Sequence, residues 1–574
     1  MTVEKLITEH IDTWTSALKT RSTAGRGSNG KIDLYGIKKL RELILELAVR
    51  GKLVPQDPND EPASELLKRI AAEKVKLVKQ GKIKKQKPLP EISEEEKPFE
   101  LPLGWEWVRL GDAVEVINGR AYKKHEMLQS GTPLLRVGNL FTSNEWYYSD
   151  LELDEDKYID KDDLIYAWSA SFGPFIWQGD RVIYHYHIWK LKLFSESALS
   201  KFFLHDYLAS ITEKIKSQGN GIAMLHMTKE RMEKQVIALP PLIEQISIVS
   251  KIKELMTLCD QLEQQSLTSL DAHSQLVETL LATLTESQNA EELAENWARI
   301  SQHFDTLFTT EASIDALKQT ILQLAVMGKL VPQDPNDEPA SELLKRIEQE
   351  KAQLVKEGKI KKQKPLPPIS EDEKPFELPV GWEWVRFGDI GIIRGGGTPS
   401  KNNQEYWSGS IPWVSPKDMK VDYISRTELN ISISAITNSS VHYIPINSLL
   451  FVVRGMILSH TFPVAINTKE VTINQDMKAI TSNLFNTDFL LNLMKGFSTV
   501  VLKRVERSSH GTCKLVSDKL FNLQLPVPSL DEQMRINVRV TELFSICDSL
   551  KSRLQSVQQT QLHLADALTD AALN

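Results

Sequence analysis

The chain has 574 residues, too long for one core at roughly 100–200 residues per domain, and its 41% hydrophobic and 25% charged residues are typical of a globular protein. No run approaches the roughly 18 uncharged apolar residues of a membrane span, and the start lacks the apolar run of a signal peptide, so we expect a cytoplasmic protein. A net charge of −7 means that any nucleic-acid role must use local basic patches or positive charge borrowed from a partner.

The first predicted elements are two helical stretches joined by the Gly/Ser-rich segment 22–31, which marks a flexible connection. The second helix carries an apolar stripe at Ile37, Leu40, Ile44 and Leu47. A basic linker follows at 74–90, with seven lysines in residues 74–87. Two interpretations of this linker stay open: a phosphate-contacting arm, or a solvated helix end whose charge is balanced by the acidic run EISEEEKP behind it.

Two blocks of mixed pattern, 113–238 and 390–526, follow the two copies of this linker. Runs rich in β-branched and aromatic residues predict strands, and longer periodic runs predict helices. The strand-like runs are 162–168, 181–194, 447–455 and 460–467, and the helix-like runs are 201–217 and 486–506. Each block therefore predicts a compact α/β domain, entered after GWEWV and left before a proline.

A long helix is predicted after each block, beginning near Pro240 and near Pro528 with acidic first turns that suit a helix N-terminus. Apolar residues then recur at the 4-3-4-3 spacing of a coiled-coil seam. The seam positions are Ile248, Ile252, Leu255, Cys259 and Leu262, and Ile536, Val540, Leu543, Cys547 and Leu550. We expect the long helices to run antiparallel to the helices at 314–326 and 37–49, which brings both chain ends into one region.

The chain is a tandem duplication. Residues 47–112 and 324–389 match at 56 of 66 positions without a gap. The helix of the second copy repeats the apolar stripe at Ile314, Leu317, Ile321 and Leu324. Because the blocks that follow these nearly identical segments show only scattered similarity, the pattern indicates one scaffold with two different recognition surfaces. Drift after duplication is the alternative, but uniform drift would not spare one segment and alter the next.

Enzyme motifs are absent from the sequence, which has no GxxxxGK[ST] phosphate loop, no HExxH and no Asn/Asp-Pro-Pro-aromatic methyltransferase loop. The acidic run at 151–163 could imitate a nuclease metal site, although such runs more often form a solvated surface or turn. The glycine run at 395–398 lacks the context of a phosphate cradle. His185 and His187, two residues apart on a strand-like run, could form a metal pair or serve as core or surface histidines. The three cysteines form no metal-binding or disulfide pattern.

Glycine turns with basic, amide and hydroxyl side chains occupy matching places in the two blocks, and such side chains bond phosphates and base edges. The matched segments are 117–126 with 393–403, 131–139 with 409–418, 167–171 with 452–456, and 218–225 with 508–515. The candidate binding residues are Arg120, Tyr122, Lys123, Lys124, Arg136, Asn139, Ser169, Gln218, Asn220, Arg394, Thr398, Lys401, Lys417, Arg454, Ser508, His510, Thr512 and Lys514. Arg120, Lys124, Arg394, Arg454 and His510 are the preferred ones, with an exposed polar loop residue as the alternative for each.

The doubled order of these motifs resembles the DNA specificity subunit of type I restriction-modification enzymes. The blocks entered through GWEWVRLGD, the stretch GTPSKNNQEYWSGSIPWVSPKDM and the P-x-L-x-E-Q exit before a coiled-coil helix carry the resemblance, which covers essentially the whole chain. The nearly identical KLVPQDPNDEPASELLKRI segments are similar to those of the type IB subfamily.

This resemblance implies an α+β fold with two globular α/β target-recognition domains, separated by long antiparallel coiled-coil helices and related by pseudo-twofold symmetry. It implies that the chain reads a bipartite, asymmetric double-stranded DNA target. Two modification subunits would add adenine-N6 methylation, and two restriction subunits would add translocation and cleavage. Catalysis, S-adenosylmethionine, ATP and Mg²⁺ would belong to those partners, and this chain would contribute no catalytic, cofactor-binding or metal-binding residue.

The domains expected from this resemblance follow the repeat. They are an N-terminal helical scaffold and basic linker at 1–100, a first target-recognition domain at 101–241, a central helical spacer and linker at 242–373, a second target-recognition domain at 374–528, and a C-terminal coiled-coil helix at 529–574. Two other classes stay open: a coiled-coil scaffold that binds proteins, and the recognition part of a single-chain restriction-methylation enzyme, which would need a fused methyltransferase motif.

Overall fold

The computed structural model describes residues 3–20, 32–169, 171–217, 227–362, 364–507 and 511–573. The chain forms two compact units. Unit 1 consists of Met1–Lys19, Ile32–Thr268 and Gln558–Asn574, and unit 2 consists of Thr20–Lys31 and Ser269–Val557. Each unit contains one copy of the repeated helices, one mixed block and a part of each long helix. Among the helices of the described residues, none is both long and apolar enough to cross a membrane.

The first half of the chain ends in a helix of 45 residues, about 68 Å long at 1.5 Å per residue. The helices and strands up to its end are, in chain order, α1 (Val3–Glu9), α2 (Ile11–Ser16), β1 (Lys19–Thr20), β2 (Ile32–Asp33), α3 (Tyr35–Val49), α4 (Ala63–Lys79), β3 (Glu106–Arg109), α5 (Leu110–Ala113), β4 (Val114–Asn118), β5 (Thr132–Leu135), α6 (Val137–Phe141), β6 (Tyr147–Ser149), β7 (Tyr158–Ile159), β8 (Leu164–Ser169), β9 (Ser171–Ile176), β10 (Val182–Tyr184), β11 (Ile188–Leu193), α7 (Lys201–Ser217), α8 (Lys229–Glu233), β12 (Val236–Leu239) and α9 (Leu242–Glu286).

The second half repeats this order and ends in a helix of 44 residues. Its elements are α10 (Ala290–Gln302), α11 (Phe304–Leu307), α12 (Glu311–Val326), α13 (Ala340–Lys356), β13 (Glu383–Arg386), β14 (Ile392–Gly395), β15 (Ile411–Val414), β16 (Tyr423–Ile424), β17 (Leu429–Ile431), α14 (Ile433–Thr437), β18 (Leu449–Val452), β19 (Val464–Asn467), β20 (Thr472–Ile473), β21 (Met477–Thr481), α15 (Thr487–Gly496), α16 (Ser498–Leu502), β22 (Glu506–Arg507), β23 (Cys513–Lys514), α17 (Ser517–Phe521), β24 (Gln524–Val527) and α18 (Leu530–Leu573).

The mixed block of unit 1 is built from two four-stranded sheets and a two-stranded ribbon. The sheets have the strand orders β4-β11-β8-β9 and β6-β5-β10-β7. The apolar strand β8 pairs on both edges, and α7 packs on β9. In the second sheet β5 and β10 are parallel, with Leu135 opposite Tyr184. The antiparallel ribbon of β3 and β12 joins the entry of the block to its exit, with Val108 opposite Ile237.

The mixed block of unit 2 has the same plan. Its sheets have the orders β14-β21-β18-β19-β16 and β17-β15-β20, and α15 packs on β19. The parallel pair is β15 with β20, where Val414 lies opposite Ile473, and the entry ribbon is β13 with β24, where Val385 lies opposite Leu525. Two blocks with little sequence similarity thus share one topology, which confirms the prediction of paired α/β domains.

The repeated helix of unit 1 packs against the first part of α9. Arg41 of α3 forms ion pairs with Asp260 and Glu263. Gln56, just beyond α3, donates a hydrogen bond of 3.0 Å to Glu244 near the start of α9. Because rising residue numbers on α9 face falling numbers on α3, the two helices are antiparallel.

Unit 2 contains the same arrangement between α12 and the first part of α18. Lys551 forms an ion pair of 3.0 Å with Asp315, and Gln333 donates to Glu532 at 3.1 Å. The antiparallel pairing predicted from the sequence is therefore confirmed within each unit, joining α9 to the helix at 37–49 and α18 to the helix at 314–326.

The last part of each long helix lies in the other unit. In unit 1 Tyr35 of α3 donates a hydrogen bond of 2.7 Å to Asp566 of α18. In unit 2 Lys329, which follows α12, donates at 2.8 Å to the carbonyl oxygen of Ser287, which follows α9. Both chain ends belong to unit 1, as predicted.

The predicted seam residues form the helical core. Ile248, Ile252, Leu255, Cys259 and Leu262 are all buried, as are Ile536, Val540 and Cys547, while Leu543 and Leu550 are half-buried against the same cluster. Burial raises the pKa of the Cys259 thiol to about 11 and also raises that of Cys547. Their environment is that of packed seam residues, as the spacing predicted.

Candidate nucleic-acid interface

One of the predicted strands is interrupted, and the interruption creates the central feature of the first block. The run 181–194 forms two strands, β10 and β11, separated by a bend at His185–His187. The bend is fixed by backbone hydrogen bonds. The His185 N–H donates to the Leu135 carbonyl at 3.0 Å, and the Trp168 N–H donates to the His187 carbonyl at 3.1 Å. The expectation that both histidines lie on one strand is therefore wrong.

The second block has a bend at the equivalent place, formed by Asn474, Gln475 and Asp476 between β20 and β21. The same backbone bonds hold it. The Asn474 N–H donates to the Val414 carbonyl at 2.9 Å, and the Val453 N–H donates to the Asp476 carbonyl at 2.8 Å. Both bends therefore occupy the same place in the topology, and they carry different polar side chains: His-Tyr-His in unit 1 and Asn-Gln-Asp in unit 2.

A glycine lies against each bend because a side chain would not fit there. A Cβ on Gly119 would lie 2.4 Å from the carbonyl oxygen of His185, and one on Gly396 would lie 1.9 Å from that of Asn474. Contacts below 3.0 Å are essentially never seen for Cβ atoms. Close backbone packing against the bend therefore explains Gly396 within the run GGGT.

Arg120 follows Gly119 and lies beside the bend of unit 1. Its guanidinium forms a two-pronged ion pair with Glu126, at 2.7 and 3.1 Å, and lies over the ring of Tyr122. The ion pair holds the pKa of Glu126 at about 2. Tyr122 is buried, its hydroxyl has no hydrogen-bond partner among the described residues, and burial raises its pKa to about 12. Arg120 is thus oriented, with its side chain 34% exposed at the surface of the block.

The bend of unit 1 presents a cluster of rings. Trp168 stacks on Trp189 and donates its indole N–H to the Tyr186 carbonyl at 3.0 Å, and the rings of His185 and His187 lie 4.7 Å apart. Burial, reinforced by the neighbouring positive groups, lowers the pKa of His185 to about 4, so its imidazole is neutral at pH 7. Tyr186 at the tip is exposed. These groups offer donors, acceptors and stacking faces to a ligand.

Two other predicted residues, Arg136 and Ser169, reach this bend. Arg136 directly follows Leu135, which accepts from the bend, and its guanidinium lies over the ring of Tyr147. Ser169 is buried at the end of β8, next to Trp168. Asn139 instead has a structural role in its loop, because it accepts from the Arg136 N–H and donates to the Glu145 carbonyl. Lys123 and Lys124 are exposed in the turn after Tyr122.

The bend of unit 2 is flanked by two of the predicted cations. The Arg454 N–H donates to the Asp476 carbonyl, and the Arg454 guanidinium lies 3.9 Å from the Asp476 carboxylate. Lys514 forms a backbone bridge with Arg454 and is exposed, as is its neighbour Thr512. Gln475 at the tip is exposed and makes no side-chain hydrogen bond to a described residue.

The remaining predicted residues of unit 2 lie elsewhere. Arg394 is on β14, half-buried, and one of its terminal nitrogens is buried without a hydrogen-bond partner among the described residues. Thr398 is half-buried, Lys401 is exposed, and Lys417 is exposed with Glu428 at 3.8 Å. Gln218, Asn220, Ser508 and His510 lie outside the described residues.

The P-x-L-x-E-Q motif ties each block to its long helix. In unit 1 Glu244 accepts from the indole of Trp105, in the GWEWV entry, at 2.8 Å, and Gln245 accepts from the Ser200 N–H ahead of α7. In unit 2 Glu532 accepts from Trp382 at 2.9 Å, and Gln533 accepts from the N–H that precedes α15. Burial raises the pKa of both glutamates. The motif thus fixes the orientation of each block on its helix.

The acidic run at 151–163 forms turns held by basic partners. Arg181 pairs with Glu155 and Asp160, and Lys190 pairs with Asp163 at 2.6 Å. Over the described parts of the chain, no group of three or more His, Cys, Asp and Glu side chains is placed to hold a metal ion. The surface-turn interpretation of this run therefore fits the structure better than the nuclease one.

The bend residues are the part of the interface that sequence reasoning missed. An alignment of VIYHYHIW (182–189) with TINQDMK (472–478) would have shown three polar residues between apolar strands in both copies. The signal is weak because the flanking strands have two or three residues each.

The fold and the paired bends define a two-domain recognition protein, in which a repeated helical framework carries two blocks with one topology and different polar surfaces. The family model for the type I restriction modification DNA specificity domain matches residues 102–272 and 379–559. The type I restriction enzyme EcoAI and EcoEI specificity subunits, both of Escherichia coli, are each 49% identical to this chain, over the full length of both sequences.

A solved chain from work on complex assembly and conformational transition of the type I R-M system has the same fold. It aligns with a TM-score of 0.50 and 17% identity over 83% of this chain and 99% of its own length. The protein belongs to the family of type I restriction-modification specificity subunits, which recognise rather than catalyse.

Proposed function

We propose that each block reads one half of a bipartite, asymmetric DNA target through its bend. The observation that carries this proposal is the identical placement of His185–His187 and 474–476, with different side chains. Amide side chains suit adenine, a carboxylate accepts from cytosine, and Arg and Lys suit guanine or phosphate. Unlike side chains at equivalent places would read unlike half-sites.

The division of labour follows the family. Relatives are named as specificity subunits of type I restriction enzymes. We propose that this chain assembles with two modification subunits, which bind S-adenosylmethionine and methylate adenine at N6, and with two restriction subunits, which use ATP and Mg²⁺. The chain would then work in the cytoplasm, with the five domain boundaries expected from its repeat, as a type IB specificity subunit.

A repeated apolar turn supports two docking positions. Leu103 and Val380 precede the conserved glycines of the two GWEWV entries and are 87% and 96% exposed. Both glycines, Gly104 and Gly381, adopt positive φ values, of 86° and 88°. Apolar side chains presented so fully at the same place in each copy fit contact with a partner subunit.

The test is reconstitution with a cognate modification subunit, followed by methylation mapping on random DNA. Replacing residues 113–238 by a block from another member of the family should change one half of the target and leave the other half unchanged. A change in both halves would contradict independent reading.

A single substitution locates the reader within a block. Gln475→Ala should relax discrimination at one base pair of the second half-site by roughly 5- to 150-fold, the value of about 1–3 kcal/mol per good bidentate contact. Tyr186→Ala, the matched change at the other bend, should act only on the first half-site. If the wild-type complex bound selected and random duplexes alike, the protein-binding scaffold would be the better interpretation.

A further inference from the structure

A cavity of about 540 Å³ lies beside β14 in unit 2 and is lined by cations. Lys351, Lys359, Lys361 and Arg394 contribute side chains, and His442 completes the wall. No carboxylate belongs to the lining residues described. The nearby acids compensate only in part: Glu357 pairs with Lys359 at 2.8 Å, and Asp389 lies 4.0 Å from Lys351.

Two groups in this cavity lack a full complement of partners. A terminal nitrogen of Arg394 is buried and has no acceptor within the described residues. Lys351 donates to the Gly388 carbonyl, but burial lowers its pKa because no close carboxylate offsets the loss of water. A buried charged donor without a partner is costly, so an anion that accepts from Arg394 and sits among the lysines would remove that cost.

We propose that this cavity binds a phosphate group, supplied either by the DNA backbone beside the second half-site or by a free phosphate-bearing anion. The assignment to DNA rests on the proposed function, whereas binding of the anion does not. Arg394 presents a planar fork that suits phosphate oxygens, and the lysines add point charges around it. In this role Arg394 positions the DNA and does not read bases.

The place of the cavity along β14 agrees with a backbone contact. Arg394 is three residues before Gly397, whose N–H donates to Ile473 at the start of the bend. At about 3.3 Å per residue, the separation along the strand is roughly 10 Å. Since the major groove is about 12 Å wide, a bend that reads base edges in the groove would leave a flanking phosphate near this distance.

The first copy provides a matched comparison within the same chain. Its linker lysines Lys82 and Lys84 correspond to Lys359 and Lys361, but strand register places Ile117 where unit 2 has Arg394. Lys74, the counterpart of Lys351, pairs with Asp112 at 3.2 Å. The cationic cavity is therefore built from a repeated linker and one arginine that belongs to the second block alone.

Thermal unfolding of the full chain tests the anion, with inorganic phosphate compared against chloride at equal ionic strength. Phosphate should raise the Tm of the wild type and of the Lys82→Ala/Lys84→Ala variant. It should not raise that of Arg394→Met or of Lys359→Ala/Lys361→Ala, because binding to the folded state alone stabilises it. Arg394→Met keeps the length of the side chain, and the exposed lysine pair serves if that variant fails to fold.

Duplex binding by the reconstituted complex, measured at several salt concentrations, then identifies the source. A DNA phosphate predicts that Arg394→Met weakens binding roughly tenfold and lowers the slope of log K against log salt by about 0.9, with the bases read unchanged. An unchanged slope together with a lost phosphate effect would assign the site to a free anion. No phosphate effect and no slope change would overturn the proposal, and so would equal losses in the Lys82/Lys84 variant, which would indicate diffuse surface charge.

The two hypotheses fail separately. A wild-type complex without sequence preference would refute the proposed function and leave the phosphate measurement on the free chain valid.

Discussion

The glycine beside the second bend offers a sharp test of how the interface is built. In Gly396→Ala the new Cβ would lie 1.9 Å from the Asn474 carbonyl oxygen, against a practical minimum of 3.0 Å, so the two backbones must separate by about 1.1 Å. The chain there is held by hydrogen bonds from the Gly396 N–H to Met477 at 3.2 Å and from the Gly397 N–H to Ile473 at 2.9 Å. These bonds must stretch or break.

The expected cost has two parts. Overpacking of this size destabilises a fold by about 1–3 kcal/mol. Displacing the bend by about 1 Å should also remove at least one base contact in the second half-site, worth about 1–3 kcal/mol of discrimination, or roughly 5- to 150-fold. The first half-site should be read as before, because Gly119 and its bend are unaltered.

The neighbouring glycine is the control. A Cβ on Gly395 meets nothing within 4 Å, so Gly395→Ala should behave as the wild type. The assay compares the affinity of the reconstituted complex for its selected target with duplexes in which one half-site is randomised. Normal discrimination at the second half-site by Gly396→Ala, or a loss at the first, would refute the placement of the bend in the interface.

Three further predictions concern the scaffold. Inserting four residues after Leu270, within α9, adds about 6 Å while nearly restoring rotation, so the unread spacer should lengthen by one or two base pairs, and methylation mapping that showed an unchanged spacer with full activity would mean that the insertion looped out. Leu103→Asp and Val380→Asp should each remove one modification subunit from the complex, and native mass spectrometry that found both copies retained would contradict docking at these turns. The Arg386 guanidinium holds the pKa of Glu373 at about 2, below its value near 4.3 in an unfolded chain. This ion pair stabilises the fold above about pH 5, and the contribution is lost as the pH falls from 4.3 toward 2. Glu373→Gln should therefore lower the Tm at pH 7, and the difference from wild type should narrow below pH 4.3; a difference constant with pH would refute the assignment.

The sequence alone determined the framework of this protein. The duplication, the seam through Ile248 and Ile536 and the central strands of both blocks were predicted because they depend on local periodicity and on continuous apolar runs. The family followed from motif order, and the structure gives the physical reason for one motif: the Glu and Gln of P-x-L-x-E-Q hold each block on its helix.

The tertiary structure decided which polar residues meet. His185–His187 looked like part of one strand, because periodicity cannot show a break between two short strands whose partners are far away in the sequence. Arg120 and Arg454 were identified from composition and lie beside the bends, but Gln475 was not identified.

Arg394 shows the same limit from the other side. Its residue type suggested a base reader, yet its surroundings are set by Lys351, Lys359 and Lys361, which lie 33 to 43 positions earlier in the chain. Contacts between residues so far apart depend on how the linker packs beside the edge strand β14. Packing of this kind is a property of the assembled fold, because no local pattern in the sequence encodes which distant side chains share a cavity.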